Sequence, residues 1–224
     1  MINAVGKGGL LLRGSATAAG GLAVRHGRRA TKGAQTRQAV LAAAIARFGR
    51  DGYRSSSVAD IARDAGVGGT GVYAYFSSKE ALFLAALDED TAAVIDEGMS
   101  HLSGLDDMSE WRMSLFFTML AALDHHPLAR RVLGGLEPGV TERVHEIPAL
   151  AELRKALADR LRSDQSAGKV RDEIDPDRIA NGVVAIVLSL LMSVVQLGPG
   201  VADVYGDDVE AVFAAAVEVP TARL

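Results

Sequence analysis

Six residues, Gly66-Val67-Gly68-Gly69-Thr70-Gly71, carry the G-x-G-x-x-G spacing with which a backbone turn approaches the pyrophosphate of a dinucleotide. Asp88, Glu89 and Asp90 follow at about the distance of a ribose-binding acid. That chemistry works only between a buried strand and a helix, because the strand aims the turn at the phosphates. Here the turn follows Val58, Ile61, Ala62 and Ala65, apolar at helical spacing, with Asp60, Arg63 and Asp64 between them. The motif is therefore set aside, and no cofactor is expected. His101, His125, His126 and His145 show neither His-x-x-x-His nor His-Glu-x-x-His spacing. His125-His126 before Pro127 reads as a helix end, solvated or in contact with the helix dipole. The absence of cysteine excludes thiolate zinc sites, disulfides and a cysteine nucleophile. Gly14-Ser15 and Gly98-Met99-Ser100 lack the glycine pattern of a nucleophile elbow. No catalytic residue and no metal ligand are expected.

Charge points elsewhere. The chain has 224 residues and a net charge of −4, but the charge is unevenly placed. Residues 1–80 hold twelve Lys/Arg against four Asp/Glu, and residues 81–224 hold twelve against twenty-four. A basic N-terminal part on an acidic body suits a polyanion-binding module joined to a second unit. With 49% apolar residues, the chain can bury a sizeable core. Residues 1–33 are rich in Gly and Ala and read as a flexible basic arm; Leu10-Leu11-Leu12 is too short for a secretory signal. Ile179 to Ala202 is uncharged and long enough to span a bilayer. It contains Asn181, Ser189, Ser193, Gln196 and Pro199 and has no one-sided basic flank, so a core or subunit-interface helix is expected and no membrane.

These residues must be positioned by helices. Val40, Leu41, Ala44, Ile45 and Phe48 form an apolar stripe closed by Asp51-Gly52. Ser57 with Asp60 resembles a capping box at the next helix, which Gly66 to Gly69 breaks. A short third element over Thr70 to Phe76 is followed by Ser77-Ser78-Lys79-Glu80, an S-x-x-E box opening a long helix toward His101. Further helices are expected from Ser109 toward Pro127, over Leu128 to Leu136, and from Pro148 to Ala167. Two more are expected from Asp175-Pro176 onward and from Asp207 toward Pro220. No sustained period-2 alternation occurs, so the fold class is all-α.

Two short helices joined by a glycine-containing turn behind a longer one make helix-turn-helix geometry. The stretch Ser57-Val58-Ala59-Asp60-Ile61-Ala62, then Ala65-Gly66-Val67, then Val72-Tyr73-Ala74-Tyr75-Phe76-Ser77-Ser78-Lys79-Glu80-Ala81-Leu82-Phe83 resembles the DNA-binding region of the tetracycline-repressor (TetR) family. Ala46-Arg47-Phe48-Gly49-Arg50-Asp51-Gly52-Tyr53 matches the end of its first helix, and the detailed likeness covers about residues 34–84. The resemblance implies an N-terminal three-helix DNA-binding domain over 34–80 and a helical ligand-binding and dimerisation domain over 81–224.

In the family, residues matching Tyr73, Tyr75 and Lys79 contact phosphates, which sets register rather than sequence. Ser56 and Ser57 stand at one helix N-terminus and Ser78 and Lys79 at the next, where unpaired N–H groups favour phosphate. Tyr73 suits core packing, phosphate contact or both; Phe76 suits the core. This chain departs from the family at Gly68-Gly69-Thr70-Gly71, where Ser or Thr, a polar or basic residue and Gly-Thr are usual. The reading positions, Gly69, Thr70 and Ala74 among them, carry no Arg, Asn or Gln for bidentate base contacts. Weak direct readout is expected, with DNA shape contributing and with Arg28 and Arg29 of the arm placed to enter a minor groove; an uninvolved arm is equally compatible.

For the acidic body, the resemblance implies an effector pocket between central helices. Trp111, Phe116, Met119 and Leu120 are its expected lining, and the low charge of their helix suits a small apolar or aromatic effector. Residues 179–197 and 207–217 are the expected homodimer interface. The whole reads as a cytoplasmic, ligand-responsive regulator of operator DNA, most simply a repressor. The rival is a helical carrier or enzyme without specific DNA binding.

Overall fold

The computed structural model describes residues 31–102, 104–105, 108–141 and 144–219. Residues 1–30 of the expected basic arm, with Arg28 and Arg29, lie outside them, whereas its last three, Thr31, Lys32 and Gly33, cap and open the first helix. Among the described residues there are nine α-helices, two short 3-10 turns and no strand beyond one isolated bridge between Val170 and Glu218. The all-α expectation holds.

Helix α1 runs Lys32–Ser55, opened by Thr31, whose hydroxyl accepts from the Ala34 amide. Gly52 interrupts it at φ +81°, a conformation a side chain resists, so the last turn swings away where Asp51-Gly52 predicted a stop. Helix α2, Val58–Asp64, is capped by Ser57. The third element is a 3-10 turn over Gly71–Ala74 rather than a helix through Thr70 to Phe76. Gly68, Gly69 and Gly71 make a longer helix costly in backbone entropy there. Val72 and Phe76 nonetheless anchor the turn in the core with Val40, Leu41, Phe48 and Ile61.

Helix α3, Lys79–Leu102, belongs to both halves. Its cap is Ser78, whose hydroxyl accepts from the Ala81 amide, one residue beyond the Ser77 box read from sequence. Leu82 and Phe83 complete the N-terminal core, while Leu87, Val94 and Leu102 enter that of the second half. Against it pack α4 (Met108–Ala122), α5 (Pro127–Leu133) and α7 (Pro148–Ser166); α6 (Pro138–Thr141) sits on α5, α8 (Pro176–Leu197) packs on α7, and α9 (Gly200–Val217) packs on α8. Asp175 caps α8 with Pro176 in its first turn, as the sequence predicts. Helix α9 begins at Gly200, seven residues before the expected Asp207. Gly198, at φ +102°, and Pro199 separate it from α8, and Gly206 is carried within it.

Candidate nucleic-acid interface and effector cavity

The reading turn is presented by side chains that face away from it. Arg47 on α1 donates from Nε to the Asp64 carboxylate at 2.8 Å and lies 3.6 Å from Asp51 and 3.9 Å from Asp60, tying α2 to α1. Ser57 accepts from the Asp60 amide at 3.1 Å and donates to the Asp60 carboxylate at 2.8 Å. That hydroxyl, with the cations Arg63 and Arg47, holds the Asp60 carboxyl below the usual carboxylate range. Asp51, Asp60 and Asp64 are thus paired with Arg47, Arg50 and Arg63, a network that fixes α2 against α1.

On the outer side, Gly68, Gly69, Thr70 and Ala74 are exposed, and so are the rings of Tyr73 and Tyr75. Tyr73 is 55% exposed, which places it outside the core rather than packed in it. Lys79 lies with Nζ 4.4 Å from the Tyr53 ring centroid, half-buried beside the turn. Ser56 departs from its expected role. It is buried and donates to the Gly52 carbonyl at 2.7 Å, so it stabilises the end of α1 and presents nothing to a phosphate. Arg37, which the sequence reading did not single out, extends its guanidinium over Phe76, 5.2 Å from the ring centroid. A Cβ on Gly33 would lie 3.8 Å from the Tyr75 hydroxyl. The first turns of α1 therefore flank the reading turn and add a cation to its rim. Its signal was position: Arg37 lies one turn before the apolar stripe of α1.

The seam between the halves is built on α5. A Cβ on Gly49 of α1 would fall 2.8 Å from Pro127 Cβ and 3.0 Å from the Leu128 amide nitrogen, so only glycine admits this approach. Asp90 of α3 is buried and accepts from the Leu128 and Ala129 amides at 3.0 and 2.8 Å, capping α5. This residue, considered above as a ribose-binding acid, thus serves a helix terminus. Its other oxygen meets His126 Nδ1 at 3.0 Å, and His126 Nε2 lies 3.3 Å from Glu97. His125 is 2.9 Å from the same Glu97. The histidine pair is not simply a solvated turn: His126 is half-buried between two carboxylates. Hydrogen bonding by His125, and then by His126, holds the Glu97 carboxyl below its usual range. At the far end, Glu137 accepts from the Tyr53 amide at 3.0 Å and from Arg131 Nε at 2.7 Å, joining α1 to α5 again.

Behind α5 lies a cavity of about 70 Å³ between α3, α4, α5, α7 and α8. Val94, Met119, Leu153, Val184 and Leu188 are typical of its lining, Trp111 closes one side, and Thr91 supplies a lone hydroxyl. Of the four residues expected to line it, Trp111 and Met119 do. Phe116 and Leu120 do not: each lies one residue, about 100° around the helix, from the inner face, which Trp111, Leu115 and Met119 occupy, with Leu123 just beyond the end of α4. Phe116 is buried elsewhere against the exposed Phe117, ring centroids 5.2 Å apart.

Helix α8 is apolar on two faces. Ala180, Val184, Val187, Leu188, Leu191 and Val194 enter the core, while Gly182, Ala185, Ile186 and Ser189 are exposed. Val204, Tyr205 and Val212 of α9 are exposed too. Among the described residues α8 alone is long and apolar enough to cross a membrane, by length and composition.

Comparison with known proteins agrees with this geometry. The model of bacterial regulatory proteins of the tetR family matches residues 40–86, from the α1 stripe into α3. The HTH-type transcriptional regulator YdgC of Bacillus subtilis (strain 168) is 25% identical over 172 residues, which is 75% of this chain and 85% of that protein. The structure of a TetR-family transcriptional regulator from Cytophaga hutchinsonii aligns at a TM-score of 0.67 with 19% identity, over 87% of this chain and all of the other. That of the transcriptional regulator FadR from Bacillus subtilis, in complex with stearoyl-CoA, aligns at 0.61 with 16% identity, over 81% of this chain and 99% of the other.

Proposed function

This chain belongs to the tetR family of bacterial regulatory proteins and is a DNA-binding transcriptional regulator, and from that premise we propose that it is a homodimeric repressor released from its operator by a small apolar effector. Residues 34–80 serve as the DNA-binding unit and 81–224 as the sensing and dimerisation unit, with α3 common to both. The observation that carries this reading is the placement of α5. One side of it, at Ala129, Val132 and Leu133, is cavity wall, and its N-terminus abuts α1 at Gly49. An occupant of the cavity therefore acts on α5 and through it on α1, the helix against which α2 and the reading turn are held.

Thr70 to Phe76 enter the major groove. Ser57, Tyr73, Tyr75, Lys79 and Arg37 meet the phosphates, Gly69, Thr70 and Ala74 approach the bases, and the arm with Arg28 and Arg29 follows the adjacent minor groove. Lacking a bidentate base reader, the turn relies on backbone approach, methyl contacts and DNA shape. Two copies joined through 179–197 and 207–217 hold the reading turns about one helical turn, or a multiple, apart. Effector binding shifts that spacing and lowers DNA affinity by coupling between sites. The FadR neighbour, solved with stearoyl-CoA, supports an apolar effector. Such a protein works in the cytoplasm, without a membrane, a metal or catalysis.

Fluorescence anisotropy of DNA from upstream of its own gene, titrated at several salt concentrations against scrambled DNA, tests this. Binding at least a hundredfold tighter to the upstream DNA, with a steep salt slope, is expected. Equal or absent binding in the folded, effector-free protein would return the carrier or enzyme reading.

A further inference from the structure

A second, smaller cavity of about 20 Å³ adjoins the first. Trp111, Leu115 and Leu157 line both, so these three side chains form the partition. Beyond it the small chamber is closed by Ile179, Val183 and Phe213, with Leu161 and Val217. Trp111 is the bulkiest part of the partition, and it is held in place. The Arg160 guanidinium lies 5.8 Å from its ring centroid and is itself anchored to the buried Asp164 at 2.7 Å.

The lining sets the occupant's chemistry. Apart from Thr91 the large chamber offers only aliphatic side chains, the thioethers of Met99 and Met119 and the Trp111 ring, so a charged or multiply polar group would lose its hydration there without replacement. The space beyond the shared wall is only about 20 Å³, too small for fused rings, so an occupant that extends into it is best a flexible unbranched chain. We propose that the effector carries an unbranched alkyl chain and that Trp111 is the end wall that sets its maximum length. This rests on the effector-site reading above. Removing the wall joins the chambers and lets a longer chain run on toward Phe213.

Trp111 is the chain's single tryptophan, so its emission reports the wall directly. The test uses the full-length protein and a homologous series of straight-chain alcohols, plain and with bromine on the terminal carbon. Affinity is followed by displacement of an apolar dye and release of operator DNA. In the wild type, affinity should rise about fourfold for each added methylene until the chamber is full, and then stop rising. Terminal bromine should quench Trp111 most strongly at that same length. In Trp111→Leu the rise should continue for several methylenes, so chains two carbons past the wild-type limit bind about sixteenfold tighter than in the wild type. Adding Val183→Phe, which plugs the small chamber, should restore the shorter limit. Should Trp111→Leu unfold, Leu115→Ala opens the same partition from the other side. Chains that bind and release DNA with an unchanged length limit in these variants would overturn the wall. Failure of any chain to displace the dye or release DNA would overturn the effector-site reading itself.

Discussion

Ser56 and Ser57 stand next to each other and do different work. The Ser57 hydroxyl caps α2, and Ser57→Ala should cost about 1 kcal/mol, seen as a melting temperature lower by about 2–4 °C. It should also weaken DNA binding, since Ser57 faces outward. Ser56→Ala strands the Gly52 carbonyl in the core and should cost about 1–3 kcal/mol, while leaving the salt slope of DNA binding unchanged. A changed slope in Ser56→Ala would return that residue to the interface. The sequence could not separate the two, because either serine has the type and position of a cap; only the turn at Gly52 shows which one points inward. The role of Asp90 is legible in the helical pattern around it. It falls in the stripe Ala86, Leu87, Asp90, Val94, and an acid on a buried helix face must find donors. Glu97 gives a pH prediction. Its carboxyl is held low in the folded chain, so around the ordinary glutamate value of about 4.3 the unfolded chain binds more protons. Its stabilisation is therefore present above that pH and is lost as pH falls through the lower native value. Glu97→Gln should flatten the acid limb of stability against pH, measured by urea unfolding, and leave the neutral region's slope alone.

Helix α5 shows how little of an element's role its sequence carries. Pro127 and the turn after it marked a short helix, and nothing in those residues revealed that Gly49 opens a slot for it in α1. A long-range approach of this kind has no local period. The same limit explains α4, which is apolar around its circumference. Periodicity selected the helix but not the face, and Phe116 and Leu120 were as credible as Leu115 and Leu123 until α7 and α8 were placed. By contrast α1 was legible from its stripe and its Asp51-Gly52 stop, α2 from its Ser57 cap and the glycines after it, and the start of α3 from its serine box. Gly49→Ala tests the seam. Its Cβ would meet Pro127 and Leu128 backbone within 3.0 Å, so α5 or α1 must move. The folded variant should bind operator DNA about tenfold or more weakly without effector, and effector affinity should change in the reciprocal direction. Gly98→Ala is the control. There the added methyl meets only the flexible end of Met119, and DNA affinity should stay within about twofold. Equal effects of the two substitutions would mean that the seam transmits nothing.

The molecule divides its charge as it divides its labour: cations near the reading turn, acids on the sensing body, and a helix, α8, uncharged from Ile179 to Leu197 and packed beside α9, whose acids Asp203, Asp207, Asp208 and Glu210 alternate with apolar side chains. An isolated chain would leave Ile186, Val204, Tyr205 and Val212 in water beside the small residues Gly182, Ala185 and Ser189. Apolar surface gathered on two adjacent helices suits a face that packs against its own copy, the small side chains allowing the α8 helices to approach closely. The prediction follows from what the second copy supplies to DNA. Two reading turns release roughly twice the counterions of one, so log affinity against log salt should be about twice as steep for the dimer. Ile186→Arg combined with Val212→Asp puts charge into the proposed interface without touching the core of the DNA-binding unit. Light scattering should then give the mass of a single chain, with helical content retained. Operator affinity should fall by two orders of magnitude or more at moderate salt, and the salt slope should drop to about half. A monomer that keeps the wild-type slope would mean that one chain makes all the phosphate contacts. A variant that keeps the wild-type mass would mean that the copies meet elsewhere, leaving the exposed face of α8 and α9 for another purpose.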